Sequence, residues 1–499
     1  MNCTSDIEAP AAPAVRRRGL RRRRAALLSL ASALLSACAT VGPDYRGPPP
    51  GAPTSDWTQP VLSGTAPGDL AHWWSALGDP ALERLIETAL AHNFDTRQAA
   101  ARIDEARALR DRVAGGRMPT ATVAAGANRR RQSENGPLPI GSIPGLDATQ
   151  TIYDTGFDAA WEIDLFGANR RALESANAKL EQTAIEAQGV RMRVVAEVAR
   201  AWITANGAAH ELDTQRATLE TLRQTLELAR RRLALGDASG ADVDAAYAQW
   251  AAADAALPTI RARQRAAVLS LGVLTGAPPE RELALLDAAP ASPALLLLPV
   301  GERAEVLRRR PDVMAAERRL AASTADIGVA TAELFPKLSV SAGGGFQALA
   351  VEEWFESPSA RFSVLPLISW RLFDGGRVRA EIRAREAAAV QAALAYEQTV
   401  LEALGDAERA LGDYHAGLDT LARRHAALGA SRRNHAHARA RYAAGDIALI
   451  ELLAAERMLH EAETAAVNAR TSAAVQLVAL YKALGGGWSE PAATPRKPE

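Results

Sequence analysis

The stretch TIYDTGFDAAWEIDL, at residues 151–165, decides how this chain folds. Its odd-numbered positions are apolar, aromatic or hydroxyl-bearing, whereas its even-numbered positions include four carboxylates: Asp154, Asp158, Glu162 and Asp164. Because successive side chains of a strand point to opposite faces, the pattern predicts a β-strand with one apolar and one acidic face. A soluble sheet would alternate in the same way, but a lipid-facing barrel strand with a wet interior fits as well.

Three further stretches read as partner strands, at about 119–131, 337–347 and 361–373. Four strands cannot enclose a lumen, and open sheet edges are not tolerated in the hydrocarbon of a membrane. If the strands lie in a membrane, several identical chains must therefore share one barrel. Three chains would supply twelve strands, which is wide enough for an aqueous channel. The need to close the sheet predicts an oligomer, although it does not fix the number of chains.

The rest of the chain is dominated by long helical segments in a duplicated arrangement. Three short motifs recur roughly 210 residues apart, which indicates one unit copied twice: LFG at 165–167 and LFDG at 372–375, LGD at 235–237 and AGD at 444–446, and LTG at 274–276 and LGG at 484–486. Helices are predicted at about 81–114, 168–235, 240–275, 303–333, 377–444 and 447–484. Pro258 is expected to kink or interrupt the third of them.

Two of these segments, 168–235 and 377–444, would each be on the order of 100 Å long. Apolar residues recur every seven positions in the first, which predicts coiled-coil-like packing through small side chains. A soluble coiled coil would show the same period. The domains expected are a leader at 1–37, an extended arm at 38–80, a first repeat at 81–276, a linker at 277–302, a second repeat at 303–486 and a flexible tail at 487–499.

The first 37 residues read as a removable targeting segment. Seven arginines precede an apolar run of about 13 residues, which is too short to span a bilayer and fits a signal peptide. The run ends in LSAC at 35–38, which resembles a bacterial lipobox, so Cys38 is predicted to be lipidated. An ordinary signal peptide with a chance cysteine is the alternative. Cys38 would be the one cysteine after cleavage, which rules out a disulfide within the mature chain.

Composition argues against several functional classes. The formal net charge of the 499 residues is zero, so binding to nucleic acid has no electrostatic support at the level of the chain. The eight histidines show no metal-ligand spacing, and we find neither a nucleophile elbow nor a metalloprotease motif. We therefore expect no enzyme activity, no metal and no cofactor. The RRR cluster at 129–131 could touch lipid phosphates, but a solvated cluster is its simpler interpretation.

Several motifs resemble those of the outer-membrane efflux factors of the TolC/OprM/NodT type. They are the lipobox followed by VGPDY at 41–45, WW at 73–74, GDP at 78–80, WEIDLFG at 161–167, RRPDV at 309–313 and LFDGG at 372–376. Together they span nearly all of the mature chain. The RRPDV stretch, which continues through IG at 327–328 to FP at 335–336, is the most specific of them.

The resemblance implies a homotrimer that is lipid-anchored in the outer membrane. Its fold class would be mainly helical with a membrane β-barrel portion. Duplicated helix–strand–strand–helix repeats would contribute four strands per chain to a twelve-stranded barrel above a long helical periplasmic tunnel. Such a channel is the passive exit duct of a tripartite efflux pump for drugs or small toxic compounds. Its implied partners are a periplasmic adaptor and an inner-membrane transporter, commonly of the resistance-nodulation-division type.

In this family the helix tips close the periplasmic end like an iris, often with a ring of aspartates. The resemblance places the tips here at residues 235–241 and 443–448, with Asp237 and Asp446 as candidate ring residues. The family position lies two residues past the tip glycine, where this chain has Ile447, so the ring would be displaced. Both aspartates could instead be helix N-caps. Arg441 and Tyr442 precede the second tip and could tether it in the closed state.

Two alternatives remain at this stage. A periplasmic adaptor would also carry a lipobox and coiled-coil helices, but the duplicated strands speak against it. A structural lipoprotein without a conduit is the other. If the strands line a pore, their four carboxylates should make it mildly cation-preferring. A wide duct imposes little chemistry on its cargo, so the sequence does not identify the substrate.

Overall fold

A computed structural model describes residues 40–47, 56–58, 70–133, 147–295, 300 and 302–488. Cys38, the leader and most of the arm lie outside these residues. The described helices are α1 (Pro80–His92), α2 (Phe94–Gly115), α3 (Ala168–Ala234), α4 (Gly240–Leu274), α5 (Arg303–Arg309), α6 (Pro311–Ala332), α7 (Arg377–Ala444) and α8 (Leu449–Ala483). The strands are β1 (Thr120–Arg131), β2 (Thr149–Ile163), β3 (Lys337–Ala348) and β4 (Ala360–Ser369). Short 3-10 helices occur at Leu70–Leu77 and Pro279–Asp287.

The chain divides into two compact units. The sheet unit consists of Met1–Gly47, Ala108–Ala178 and Ala321–Gln391. The helical unit consists of Pro48–Arg107, Lys179–Leu320 and Ala392–Glu499. Among the described residues, no helix combines the length and the apolar character needed to cross a membrane.

The sheet unit is built on one antiparallel sheet in the order β1-β2-β3-β4. Val123 lies opposite Phe157, Phe157 opposite Gly344, and Gly344 opposite Phe362, so one row crosses all four strands. Each strand pairs with its neighbour in sequence, and β1 and β4 are therefore the two open edges of the sheet. Unpaired edges expose backbone N–H and C=O groups that need a partner.

The helical unit has an aromatic core. Trp73, Trp202 and Tyr481 are buried, and the rings of Trp73 and Tyr481 stack with their centroids 4.6 Å apart. Asp79 links this core to the start of α1. One of its oxygens accepts the Ala81 N–H at 2.9 Å as the helix N-cap, and the other accepts the Trp202 indole N–H at 2.6 Å.

Two predicted helices are interrupted in the structure. The segment predicted at 81–114 breaks at Asn93, whose side-chain oxygen accepts the N–H groups of Asp95 and Thr96 and thereby caps α2. The segment predicted at 303–333 breaks at Arg310, which has φ −77° and ψ 120°. The following proline, Pro311, disfavours the helical conformation of the residue before it and removes a donor.

Pro258 does not interrupt its helix, because α4 continues from Gly240 to Leu274. Of the two predicted effects of Pro258, a kink or an interruption, the interruption does not occur. The strand predicted at 151–165 is shifted, since β2 begins at Thr149 and ends at Ile163. The strand predicted at 361–373 ends earlier than expected, at Ser369.

Candidate functional site

One face of the sheet is apolar across all four strands. Residues that lie directly opposite each other in the pairing share a face, and this face contains the aromatic positions of β2. Five of its large side chains are half to nine-tenths exposed: Val123, Phe157, Phe362, Val364 and Ile368. Within the strands, charge reaches this face only at Arg129 and Arg131, near the end of β1. A continuous exposed apolar face is unfavourable in water and marks a surface that contacts lipid or protein.

Aromatic side chains lie at both ends of this apolar face. At one end Tyr153 contacts Trp354, with ring centroids 5.4 Å apart, and Trp354 stacks on Phe355. At the other end the indole N–H groups of Trp161 and Trp370 donate to backbone carbonyls at 2.9 and 3.0 Å. Tyr153 and Trp161 are separated by about 26 Å of extended strand. Two aromatic belts around an apolar band of roughly 25 Å are typical of strands that cross an outer membrane.

The opposite face of the sheet is polar. Asp154, Asp158 and Glu162 lie on it, next to hydroxyl and glycine positions of β3. Asp154 is not a free carboxylate, because it accepts hydrogen bonds from Arg361 at 2.7 Å and from Gln347 at 2.8 Å. This face is therefore polar but only partly acidic. In β4 it also carries two exposed leucines, Leu365 and Leu367.

The two helix tips in the helical unit have the same backbone geometry. Gly236 follows α3 with φ +84°, and Gly445 follows α7 with φ +82°. Their next residues close the turns, since the Asp237 N–H donates to the Arg232 carbonyl at 2.8 Å and the Asp446 N–H to the Arg441 carbonyl at 2.9 Å. These are Schellman motifs, which need a residue in the left-handed region and therefore favour glycine.

The tips are held together by a small apolar cluster, here called the tip cluster. It consists of Leu226, Ala229, Ala246, Tyr442, Leu449, Leu452 and Leu453. Tyr442 is 5% exposed, and the guanidinium of Arg232 lies 4.3 Å from the centre of its ring. A cation at this distance from an aromatic face is attracted by the ring. The contact ties the end of α3 to the end of α7.

Comparison with known proteins agrees with this geometry. A family model described as outer membrane efflux protein matches residues 85–277 and 303–486. The chain belongs to the outer membrane efflux protein family. It is 32% identical to the outer membrane protein OprJ of Pseudomonas aeruginosa, over 91% of this chain and 94% of that protein. It is 30% identical to the pyoverdine export outer membrane protein OpmQ of Pseudomonas putida, over 93% of this chain and 98% of that protein.

A solved structure of the outer-membrane channel OprN has the same fold as this efflux protein. The TM-score is 0.81 at 37% identity, with 90% of this chain and 99% of that chain covered. The predicted family, fold class and outer-membrane localisation are thereby confirmed. The family consists of channel proteins of tripartite efflux systems and is not known for enzymes. This family membership also speaks against a periplasmic adaptor.

The predicted site residues of this efflux protein fall in three places. Asp154, Asp158 and Glu162 share the polar face of β2. Asp164 does not, because the strand ends at Ile163 and Asp164 accepts the backbone N–H of Arg170 at 2.9 Å beside the start of α3. Asp237, Asp446 and Arg441 are exposed at the tips, whereas Tyr442 is buried. Cys38 lies outside the described residues.

The proposed N-cap role of the tip aspartates is wrong. The N-cap of α4 is Ser239, which forms a capping box with Asp242, and the N-cap of α8 is Ala448. Each tip aspartate instead closes the Schellman motif of the preceding helix with its backbone N–H. Its carboxylate caps neither helix. Among the described residues neither carboxylate has a hydrogen bond or an ion pair. They are exposed negative charges at equivalent positions of the two tips.

Sequence reasoning missed two arginines. Arg232 stands four residues before Gly236, as Arg441 stands four residues before Gly445, so the internal repeat could have identified it. Arg171 is 3% exposed and binds the arm, and no sequence pattern marked it. Its Nε donates to the Val41 carbonyl at 3.1 Å, and an Nη donates to the Asp44 carboxylate at 2.5 Å. Arg171 thereby holds the VGPDY motif against the start of α3.

Proposed function

We propose that this protein is the passive exit duct of a tripartite efflux pump and works as a homotrimer. The observation that carries the proposal is the four-stranded sheet with two open edges and an apolar face between aromatic belts. Such a sheet is stable in a membrane only when its edges are paired. Pairing β1 of one copy with β4 of the next closes the sheet, and three copies give twelve strands around a wet lumen.

The long helices supply the periplasmic part of the duct, and a periplasmic adaptor and an inner-membrane transporter are its partners. In this proposal the transporter provides the energy, and the duct is passive. Drugs or other small toxic compounds are the cargo we propose. The relative OpmQ, at 30% identity, is named for pyoverdine export. The domain boundaries predicted from the sequence belong to this proposal as well.

A lipid on Cys38 would anchor the duct beside its membrane strands. Thr40 is close to Gly167, and the Val41 N–H donates to the Phe166 carbonyl at 3.1 Å, just beyond the end of β2. Cys38 precedes Thr40 by two residues in the sequence. The junction is at the end of the sheet that contains Trp161, where this proposal puts the membrane surface. The diacylglyceryl group that we propose on Cys38 would enter the inner leaflet next to this junction.

The tips are the proposed gate. Asp237 and Asp446 have no counter-charge of their own chain in the described residues, so copies brought together around an axis would place several carboxylates near each other. Such a ring would repel anions and could bind cations or the backbone N–H groups of a neighbouring copy. The packing of Tyr442 and Arg232 would keep each pair of tips together when the ring closes. The cation preference of the lumen would depend mainly on Asp158 and Glu162.

Conductance in planar lipid bilayers tests the proposed function. The purified protein should form pores with a low resting conductance, and the double variant Asp237→Ala/Asp446→Ala should raise that conductance several-fold. Asp244→Ala is the matched control, because Asp244 is an exposed carboxylate on α4 outside the tip. Pores whose closed state is unchanged in the double variant would reject the gate. Protein that inserts and yet never conducts would reject the duct.

A further inference from the structure

A small polar cavity lies among α3, α7 and α8, next to the tip cluster. Its volume is about 170 Å³, and its polar lining consists of Thr218, Thr221, His435, Glu456, His460 and Glu463. Glu456 is one helical turn from Leu452 and Leu453 of the tip cluster. Thr225, which contacts Glu456, directly precedes Leu226 of the same cluster. Along these helices, the apolar tip cluster lies at the tips, and the polar side chains of the cavity, here called the polar layer, follow about one helical turn further from the tips.

The hydrogen bonding of this polar layer is incomplete. Glu456 is 7% exposed, and one of its carboxylate oxygens accepts the hydroxyl of Thr225 at 2.7 Å. The other oxygen is buried without a partner. The Nε2 of His435 is also buried without a hydrogen bond, 3.9 Å from Glu456. Buried polar groups that are only partly satisfied weaken packing and are sensitive to a change of charge.

A second histidine completes the layer. The ring of His460 is bonded to the hydroxyl of Thr218 at 3.1 Å. Burial lowers the pKa of both His435 and His460. Burial raises the pKa of Glu456, and its bond to Thr225 offsets part of that effect.

The other charged groups near the layer come from two helices. Arg439 of α7 disfavours protonation of His435, whereas Glu463 of α8 favours it. Glu461 and Glu463 both favour protonation of His460. Arg432 of α7 is paired with Glu463 at 3.3 Å. The third helix, α3, lines the cavity only with alanine, leucine and threonine side chains.

The direction of the pH effect follows from these shifts. A histidine with a lowered pKa in the packed state binds protons more readily once water reaches it. The packing energy of the two histidines is therefore complete above their ordinary pKa of about 6.5 and is lost as the pH falls through the lowered values. Glu456 acts in the opposite direction, because its raised pKa favours the packed state at low pH. On acidification, the two histidines therefore weaken the packing of this layer, whereas the one carboxylate strengthens it.

We propose that this polar layer is an acid-sensitive latch on the tips. Protonation of His435 and His460 would draw water into the cavity, loosen α3, α7 and α8 beside the tip cluster, and shift the duct toward its open form. The inference rests on the proposed function, since it assigns a regulatory signal to the same gate. It would couple opening of the duct to acidification of the compartment around the tips.

The test is the conductance of the full-length protein in planar bilayers at about pH 7.5 and about pH 5.5. The variant is His435→Gln/His460→Gln, which keeps polar side chains but cannot become charged in this range. The matched control is His437→Gln, because His437 is an exposed histidine on the same helix. For the native protein and the control we expect the open fraction to rise at least about threefold on acidification. In the double variant the change should be less than half of that.

A native protein that conducts equally at both pH values would overturn the latch, and so would a double variant that keeps the full response. Absence of pores at either pH would instead count against the proposed function. Glu456→Gln provides a second test if the double variant does not assemble. It removes the opposing carboxylate, so the acid response should start at a higher pH than in the native protein. An unchanged onset in Glu456→Gln would overturn the latch as well.

Discussion

At the scale of single residues, one buried arginine organises the VGPDY motif at residues 41–45. Arg171 donates to the Val41 and Gly42 carbonyls and pairs with Asp44 and Glu174. Bonding to Arg171 lowers the pKa of Asp44, so this carboxyl stays ionised at neutral pH. A buried guanidinium is stable only when its donors are satisfied, and here the VGPDY motif satisfies several of them. We interpret this motif as a ligand for Arg171.

Arg171→Met should therefore release the arm. Loss of hydrogen bonds to a charged group costs about 2 kcal/mol, which would raise the open fraction of the arm roughly thirtyfold. The measurement is the rate at which a protease first cuts between residues 40 and 58 in the folded protein. Arg193→Met, an exposed arginine of the same helix, is the control. Equal cleavage rates in the two variants would show that Arg171 does not hold the arm.

At the scale of helices, close packing depends on small residues at a few positions. Gly207 of α3 is buried, and a methyl group there would overlap the short, branched side chain of Thr471 in α8. Gly189 of the same helix would make only an ordinary contact with Pro311 at 3.6 Å. The two glycines have the same helical backbone but different neighbours. They therefore separate the effect of helix propensity from the effect of packing.

Gly189→Ala should stabilise the protein by up to about 1 kcal/mol, because alanine loses less conformational freedom than glycine in a helix. Gly207→Ala should destabilise it by about 1–3 kcal/mol, since the added methyl forces a shift in a packed interface. Thermal unfolding followed by the helical circular-dichroism signal compares them. If both substitutions raised the melting temperature, α3 and α8 would not be packed as closely as described.

The sequence predicted regular elements well and their ends less well. The alternation around Asp154 and Phe157 was enough to find β2, because a two-residue period is a local property. The break at Asn93 was missed since no proline marks it, and it depends on a side-chain cap that only the fold reveals. Asp164 continued the alternating pattern but lies beyond the strand. Alternation cannot show where the chain leaves a sheet.

At the tips, too, the sequence predicted the local backbone structure but not the contacts of the side chains. Glycine followed by aspartate correctly located both turns, because a left-handed cap residue has a clear sequence signal. The use of Asp237 and Asp446 as N-caps was not correct, since Ser239 and Ala448 occupy those positions. Burial of Tyr442 beneath Arg232, like the partial pairing of Asp154 with Arg361, joins residues about 210 apart in the sequence. Such long-range pairs are set by packing and cannot be read from a local pattern.

At the scale of the whole molecule, the central claim is that identical copies pool their strands. The order β1-β2-β3-β4 leaves β1 and β4 as open edges, so closure must pair β1 of one copy with β4 of another. Val123 on β1 and Phe362, Val364 and Pro366 on β4 share the apolar face. Residues that meet directly across the new seam must also share a face. A cysteine at 123 should therefore approach a cysteine at one of these three β4 positions.

Disulfide cross-linking of such pairs in outer membranes is the most direct measurement. Three double-cysteine variants, 123 with 362, 364 or 366, would be oxidised and separated by denaturing electrophoresis. We predict that at least one pair links chains into a covalent species three chains in size. Pairs in which one cysteine is moved by one residue to the polar face are the matched controls. Cross-links that form only within single chains, or in none of the pairs, would contradict the shared barrel.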